Sequence, residues 1–548
     1  MKDRSRQPAA KIRTKAILAA AVLLSAMFLT SPVIVGGQND DSMPPFEYRS
    51  IDGMGNNLQR PDYGSAGINL LRISGVDYAD GISLPAGGSR MSPREISNIV
   101  IAQSGSIPNS ARASDYIWQW GQFLDHDMDL TPPAMPLEPL PVDVPDDDEF
   151  FDQDIPFNRS LHDGNNPREQ INVLTAFIDA SQVYGSDPET ADSLRTFSDG
   201  KLKTSDGDLL PMNDAGLFAA GDVRVNEQIG LTAVHTLFMR EHNRLAEEIA
   251  TKYPGMNDEE IYQTARKIVG AQIQVITYKE YLPLLLGKNA IPKYKGYNEQ
   301  VNPGISTEFS AAAFRFGHSM LSPTLLCVEN GGEVTMVKLR NAFFNPGFFT
   351  MHDDGVDCLL LGLALGRAQE LDSFVIDDVR NFLFVIPGGG LDLPSLNMQR
   401  GRDHGLSDYN SVRDAYGLAP VTSFAQISRN RAVQNALALA YNNDVNNIDL
   451  WVGVISEDEA PGALVGKTGR AILADQFIRL RDGDRFWYQN DPFFLYHKDL
   501  MKEVEGTTLA EIIQRNTDID YYLKGNAFKC EAVKSLVPPH LKKFCKLY

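Results

Sequence analysis

Cysteine is scarce in this chain. It has four in 548 residues, at 327, 358, 530 and 545, and no two stand as Cys-x-x-Cys. A zinc ribbon and a thioredoxin-type pair are thereby excluded. Cys530 and Cys545 are neighbours near the C-terminus and form the favoured bridge, but the sequence also admits the other pairings or none. Basic charge is short as well: 51 Lys and Arg face 71 Asp and Glu, a net charge of −20. Such a chain suits neither nucleic acid nor an anionic membrane surface. Long apolar runs are missing beyond Ala16–Leu29, fourteen residues, where a membrane span needs about 20. No GxxxxGK[ST], GxSxG or HExxH occurs, which removes P-loop, nucleophile-elbow and zincin chemistry. Gly53-Met54-Gly55-Asn56-Asn57-Leu58 starts like a dinucleotide loop and lacks its last glycine. Arg481-Asp482-Gly483-Asp484 holds no Arg-Gly-Asp triplet. After His126 there is no Gly/Ser-rich tract, repeat period or long block of like charge that would mark a linker.

The first 37 residues differ from the rest. Arg4, Arg6, Lys11, Arg13 and Lys15 form a basic start, the apolar run follows, and Ser31-Pro32 breaks it. This is the order of a secretory signal, with a retained N-terminal anchor as the alternative and any cut within Ala26–Gly37. A secreted or extracellular protein is expected, periplasmic if the source is bacterial. Length alone allows three or four domains, but with no linker and 43% hydrophobic residues one large domain over 45–548 is the expectation.

Its class is mainly α with few short strands. Leu231, Val234, Leu237, Phe238 and Leu245 recur at helical intervals and predict a long helix over Ile229–Ala250, with a polar turn at Arg240–Arg244. Ser114–Leu124 and Phe309–Leu321 predict buried helices, and Asp258–Leu286 stays helical until Pro283 and Gly287. Strands are expected only near Glu333–Val337 and Phe382–Ile386. Pro132–Asp154, rich in Pro, Asp and Glu, reads as an exposed excursion.

Two histidines stand in the most distinctive stretches. His126 lies in Gln122-Phe123-Leu124-Asp125-His126-Asp127, and His318 in Arg315-Phe316-Gly317-His318. Together they suggest the two faces of a haem pocket, one imidazole holding iron and the other left free to work on peroxide. A neutral imidazole can take the first proton of a peroxide and return it to the departing oxygen. The charge on that oxygen needs a fixed cation, and Arg224 is the best candidate.

Six motifs in order resemble those of the animal-type haem peroxidases, of the peroxidase–cyclooxygenase superfamily. They are Gln122–Asp127, Thr175–Ser181, Arg224–Glu227, His235–Arg244, Arg315–His318 and Leu396–Gly405, and the match runs from about Arg49 to Lys534. The resemblance implies a single helical haem peroxidase domain with these roles: His126 the distal acid–base, Gln122 its polar neighbour, Arg224 the distal cation, and His318 the proximal ligand of a haem b iron. Asn397 would accept the N–H of His318 and raise its basicity. Asp125 and Glu227 match carboxylates that form ester bonds to haem methyl groups. A third, sulfonium bond is not expected, because Gln228 stands where the family member that makes it has Met.

The resemblance also implies calcium, held by Asp127 with Thr175, Phe177, Asp179 and Ser181, whose oxygens suit a hard cation. His235, His242 and His404 are expected to be structural, with Arg400 and Arg402 as possible partners of haem propionates. The implied activity is reduction of hydrogen peroxide and, through a ferryl state, oxidation of a halide, thiocyanate or small aromatic donor. No nucleic-acid partner and no stable membrane partner are expected. The alternatives are a fatty-acid dioxygenase of the cyclooxygenase branch and a non-catalytic, peroxidase-like adhesion protein. The first is disfavoured because the radical Tyr of cyclooxygenases, three residues before the proximal His, is replaced by Arg315.

Overall fold

Helix α1, Tyr116–Met128, opens without a side-chain cap, because the Asp115 carboxylate is engaged elsewhere. The helix carries Gly121 in its middle, where a Cβ would lie 2.9 Å from the Tyr281 hydroxyl. Glycine therefore lets a second segment approach this helix closely. The structure is a computed structural model that describes residues 46–352, 354–386, 389–519, 523, 525–530, 541 and 544–547. The expected leader at 1–37 lies outside the described residues.

Helix α2, Ile229–Lys252, and helix α3, Asp258–Ile276, pack on each other. The Gln228 side chain caps α2 by accepting from Gly230 N at 2.7 Å. Asn257 and Glu260 form a capping box for α3. Beyond Ile276 the helical path widens into a π turn, Thr277–Tyr281, and resumes over Leu282–Leu285 before Gly287. The expected polar turn of α2 is only partly solvated. Glu241 and His242 are fully buried, Glu241 taking Gln272 Nε2 at 2.7 Å and Asn516 Nδ2 at 2.8 Å, and His242 pairing with Tyr184 Oη at 2.8 Å.

Among the described residues helix covers 41% and strand 9%, so the class is mainly α. Among the described residues three two-stranded antiparallel ladders pair β1 (Ile68–Asn69) with β2 (Ile171–Asn172), β3 (Thr324–Val328) with β4 (Val334–Lys338), and β5 (Leu383–Ile386) with β6 (Gly389–Leu391). Helix α4, Gly355–Leu365, packs on β3 and α2 and is joined to β3 by a Cys327–Cys358 disulfide. Cys530–Cys545 is the second bridge. Among the described residues no helix is long and apolar enough to cross a membrane.

Helix α5, Leu393–Asp403, is capped by Asp392, and that cap ties it to the acidic excursion. Arg94, fully buried, donates to Asp392 Oδ2 at 2.7 Å and to both oxygens of Asp148 at 2.6 and 3.0 Å. The Pro132–Asp154 segment is accordingly more than a solvated loop: Val142 and Phe151 pack with Ile155 in a small apolar cluster, while Met135 and Leu137 stay exposed. Breaking a buried ion pair from one side costs about 3–5 kcal/mol. Arg94→Ala is expected to destabilise the domain by that amount, measured by denaturant unfolding. A loss under about 1 kcal/mol, the ceiling for an exposed pair, would remove Arg94 as the link between the excursion and α5.

Candidate active site

Residues 118, 121, 122, 125 and 126 fall on one face of α1 by helical spacing. All five line a cavity of about 280 Å³, close to the roughly 300–1,000 Å³ common for ligand sites. Arg224, Glu227 and Gln228 reach it from the turn ahead of α2, and Phe314–His318 form another part of its wall. Six expected site residues thus face one cavity: Gln122, Asp125, His126, Arg224, Glu227 and His318. Asn397 stands behind His318.

His126 is buried, with Nδ1 3.4 Å from Asp222 Oδ1 and Nε2 3.9 Å from Glu227 Oε2. Burial and then the Arg224 charge hold its pKa well below the usual histidine range, so the ring is neutral. Asp222 carries no role in the sequence reading; a lone Asp two residues ahead of an Arg gives no signal. In the structure it accepts Arg224 Nε and Nη2, both at 2.9 Å. Burial alone would raise its pKa, but Arg224 beside it holds it at about 2. Arg224 also donates to Asp125 Oδ2 and to the Asp129 carbonyl, both at 3.0 Å. Asp125 and Glu227 are each pushed up to about 7 by burial, which the Arg224 charge opposes. Gln122 Nε2 donates to Glu227 Oε2 at 2.9 Å, and its Oε1 accepts from Gln228 at 3.2 Å.

His318 does not sit on the expected α-helix. One turn at Thr307–Ser310 breaks at Ala312, and a 3₁₀ helix, Ala313–Ser319, follows. The narrower helix brings the Gly317 backbone against α1, where a Cβ would stand 3.8 Å from the Trp118 Cβ. Burial lowers the His318 pKa to about 3. Asn397, buried on α5, meets His318 Nδ1 at 2.8 Å, but the contact is the reverse of the one expected. Its Nδ2 faces the ring because Arg315 Nη1 occupies Oδ1 at 3.2 Å. Turning the amide over, which keeps its shape, gives Nδ1–H an acceptor once Arg315 swings away.

The residues of the implied calcium site also come together. Asp127 Oδ1 accepts Ser181 N at 2.6 Å, and its carbonyl accepts Ser181 Oγ at 2.7 Å. Thr175 Oγ1 donates to Asp179 Oδ1 at 3.1 Å. Asp179 Oδ2 is buried with no hydrogen-bond partner and lies 3.8 Å from Arg49 Nε. Phe177 is fully buried, with the Arg49 guanidinium 4.8 Å from its ring. Burial raises the pKa of Asp127 and of Asp179, and for Asp127 the Asp179 charge adds to it. Two further histidines that were expected to be structural are buried. His235 packs 5.1 Å from the Phe123 ring, and His404 Nε2 pairs with Ser160 Oγ at 2.8 Å. Arg402 is committed to Asp449, and Arg400 to Ser160 and Asp403.

The animal haem peroxidase family pattern matches residues 48–528. Peroxinectin A of Dictyostelium discoideum is 37% identical, over 92% of this chain and 99% of that protein. The solved structure of peroxidase A from Dictyostelium discoideum superposes with a TM-score of 0.82 at 36% identity, covering 88% of this chain and 99% of that one. An Arabidopsis thaliana fatty acid alpha-dioxygenase, at TM-score 0.78 and 21% identity over 90% of this chain and 85% of that one, shares the fold. The chain belongs to the animal haem peroxidase family and is a haem-dependent oxidoreductase that acts on hydrogen peroxide.

Proposed function

We propose that this is a secreted peroxidase whose oxidised haem b takes its electrons from a halide, thiocyanate or small aromatic donor. One observation carries the reading: His126, Asp222, Arg224 and Glu227 form one polar cluster on the same cavity as the His318–Asn397 pair. The residues fit a haem. The apolar wall of Phe314, Phe316 and Leu321 suits a flat macrocycle, and Asn397 engages Nδ1 of His318, leaving Nε2 as the ring nitrogen for iron. Haem, when bound, supplies the redox chemistry that cleaves the O–O bond and oxidises the donor.

The protein's part is proton handling and charge. The Asp222 charge beside Nδ1 favours a proton there, so the neutral Nε2 takes the first peroxide proton and later returns it. Arg224 steadies charge on the departing oxygen. As the structure stands, Asp222 and Asp125 both neutralise that guanidinium. Ester bonds from Asp125 and Glu227 to haem methyl groups would remove a carboxylate charge from beside Arg224, leaving it net positive toward the cavity. Asp127, Thr175, Phe177, Asp179 and Ser181 would hold calcium, Phe177 through its carbonyl. Two disulfides suit an oxidising compartment, which supports residues 1–37 as a signal or anchor ahead of one domain over 45–548.

Steady-state turnover of hydrogen peroxide with chloride, bromide, iodide, thiocyanate and a phenol tests the reading, with a pyridine haemochrome assay after acid extraction beside it. Turnover with at least one donor, and haem that resists extraction, are expected. A colourless protein, turnover with no donor, or oxygen uptake driven by a polyunsaturated fatty acid would overturn it.

A further inference from the structure

Among the described residues most buried carboxylates face an arginine: Asp148 and Asp392 face Arg94, Asp449 faces Arg402, and Glu457 faces Arg413. Asp115 is different. It is 2% exposed, and burial pushes its carboxyl up to about 6 with only hydrogen bonds, and no neighbouring cation, opposing the rise. It stands at the N-cap of α1 yet makes no capping bond. Its Oδ1 instead accepts Ser322 Oγ at 2.6 Å and the Trp118 indole N–H at 2.9 Å. Trp118 lines the cavity shared by His126 and His318, one helical turn ahead of Gln122 and against Gly317. An anion buried without a counter-charge is costly. It therefore favours any positive charge that appears beside it in low dielectric.

We propose that Trp118, hydrogen-bonded to Asp115, is a second oxidation site, from which one electron passes to the peroxide-oxidised haem. This rests on the haem reading above. One electron leaves the indole π-system and reduces the haem by one equivalent. No bond between heavy atoms forms or breaks, and the indole N–H proton moves along its hydrogen bond to Asp115 Oδ1. A phenolic donor then returns an electron to the indole and becomes a phenoxyl radical, releasing its own proton to solvent, while Asp115 returns the first proton to the ring nitrogen. Trp118 is 3% exposed, so donors reach it only through the cavity. The dyad would favour one-electron donors over halides, because the hole left on an indole cannot accept an electron pair.

The test uses holoprotein frozen rapidly after one equivalent of hydrogen peroxide, with no donor, and read by electron paramagnetic resonance. Protein carrying ring-deuterated tryptophan is compared with unlabelled protein. Deuteration should narrow the radical signal, and Trp118→Phe should abolish the deuterium-sensitive part while the Soret band persists. Asp115→Asn keeps the ring and removes the anion, and should lower the indole signal roughly tenfold. This variant carries the test if Trp118→Phe does not fold. A signal insensitive to deuterated tryptophan, one that survives Trp118→Phe, or one unchanged by Asp115→Asn would overturn the proposal. If peroxide is consumed with no indole radical, the haem reading stands and this inference falls; if no peroxide is consumed, both fall.

Discussion

Replacing His126 by Ala should leave haem bound and slow peroxide reduction by about 10²–10⁴-fold, the usual contribution of one positioned acid–base group. Asp222 lies 3.4 Å from Nδ1 without a hydrogen bond between them, and its charge favours the tautomer with the proton on Nδ1 and Nε2 free. Burial and Arg224 hold the ring neutral, so it is a base before peroxide arrives. The proposed iron ligand is His318, on a separate element, so haem content and the Soret band should survive the substitution. The rate is read by stopped-flow mixing with peroxide at the Soret maximum. Asp222→Asn should give a smaller loss, because the base remains and only its orientation and the Arg224 anchor weaken. An alanine variant that reacts as fast as the parent protein would remove His126 from the chemistry and leave Arg224 and the haem to account for it alone.

The sequence made α2 legible because five apolar residues recur on one stripe, and the helix runs Ile229–Lys252, two residues beyond the expected end. The six cavity-lining site residues were legible for another reason: each lies in a motif whose neighbours fix its identity. What could not be read was set by contacts between distant segments. The 3₁₀ path under His318 packs Gly317 on Trp118 of another helix, and nothing in Phe309–Leu321 distinguishes it from an α-helix. Glu241 and His242 are polar by composition and buried by partners from other segments, Gln272, Asn516 and Tyr184. Pro132–Asp154 has the composition of a solvated loop, but Arg94 and Phe151 turn it into a packed one. Cys327–Cys358 joins residues whose closeness exists only once β3 lies on α4. The Asn397 amide is turned by Arg315, a side chain assigned no role at the sequence level.

Chelating calcium should lower the stability of the domain and slow its peroxide chemistry together, because the proposed calcium ligand Asp127 adjoins the distal His126. Asp127 directly follows His126 in α1, and its carboxylate and carbonyl take both bonds from Ser181. The 175–181 segment is therefore fastened to the turn of helix that carries the distal histidine. Asp127 and Asp179 are both fully buried, and one oxygen of Asp179 has no hydrogen-bond partner. Two anions in that setting repel each other and are poorly solvated, so a divalent cation between them would relieve both penalties. A ligand present at 100 to 1,000 times its Kd stabilises the folded state by about 2.7–4.1 kcal/mol. Unfolding with saturating calcium and with excess chelator should differ by that order. Asp179→Asn should abolish the difference, since the variant keeps the shape and removes one charge. Loss of the clamp frees the segment bonded to Asp127, so the rate of peroxide reduction should fall in the chelated protein and recover on adding calcium, but not magnesium, which demands a tighter octahedral shell. Identical unfolding curves with and without chelator, together with an unchanged rate, would mean that the two carboxylates are held by protons and Arg49 rather than by a metal.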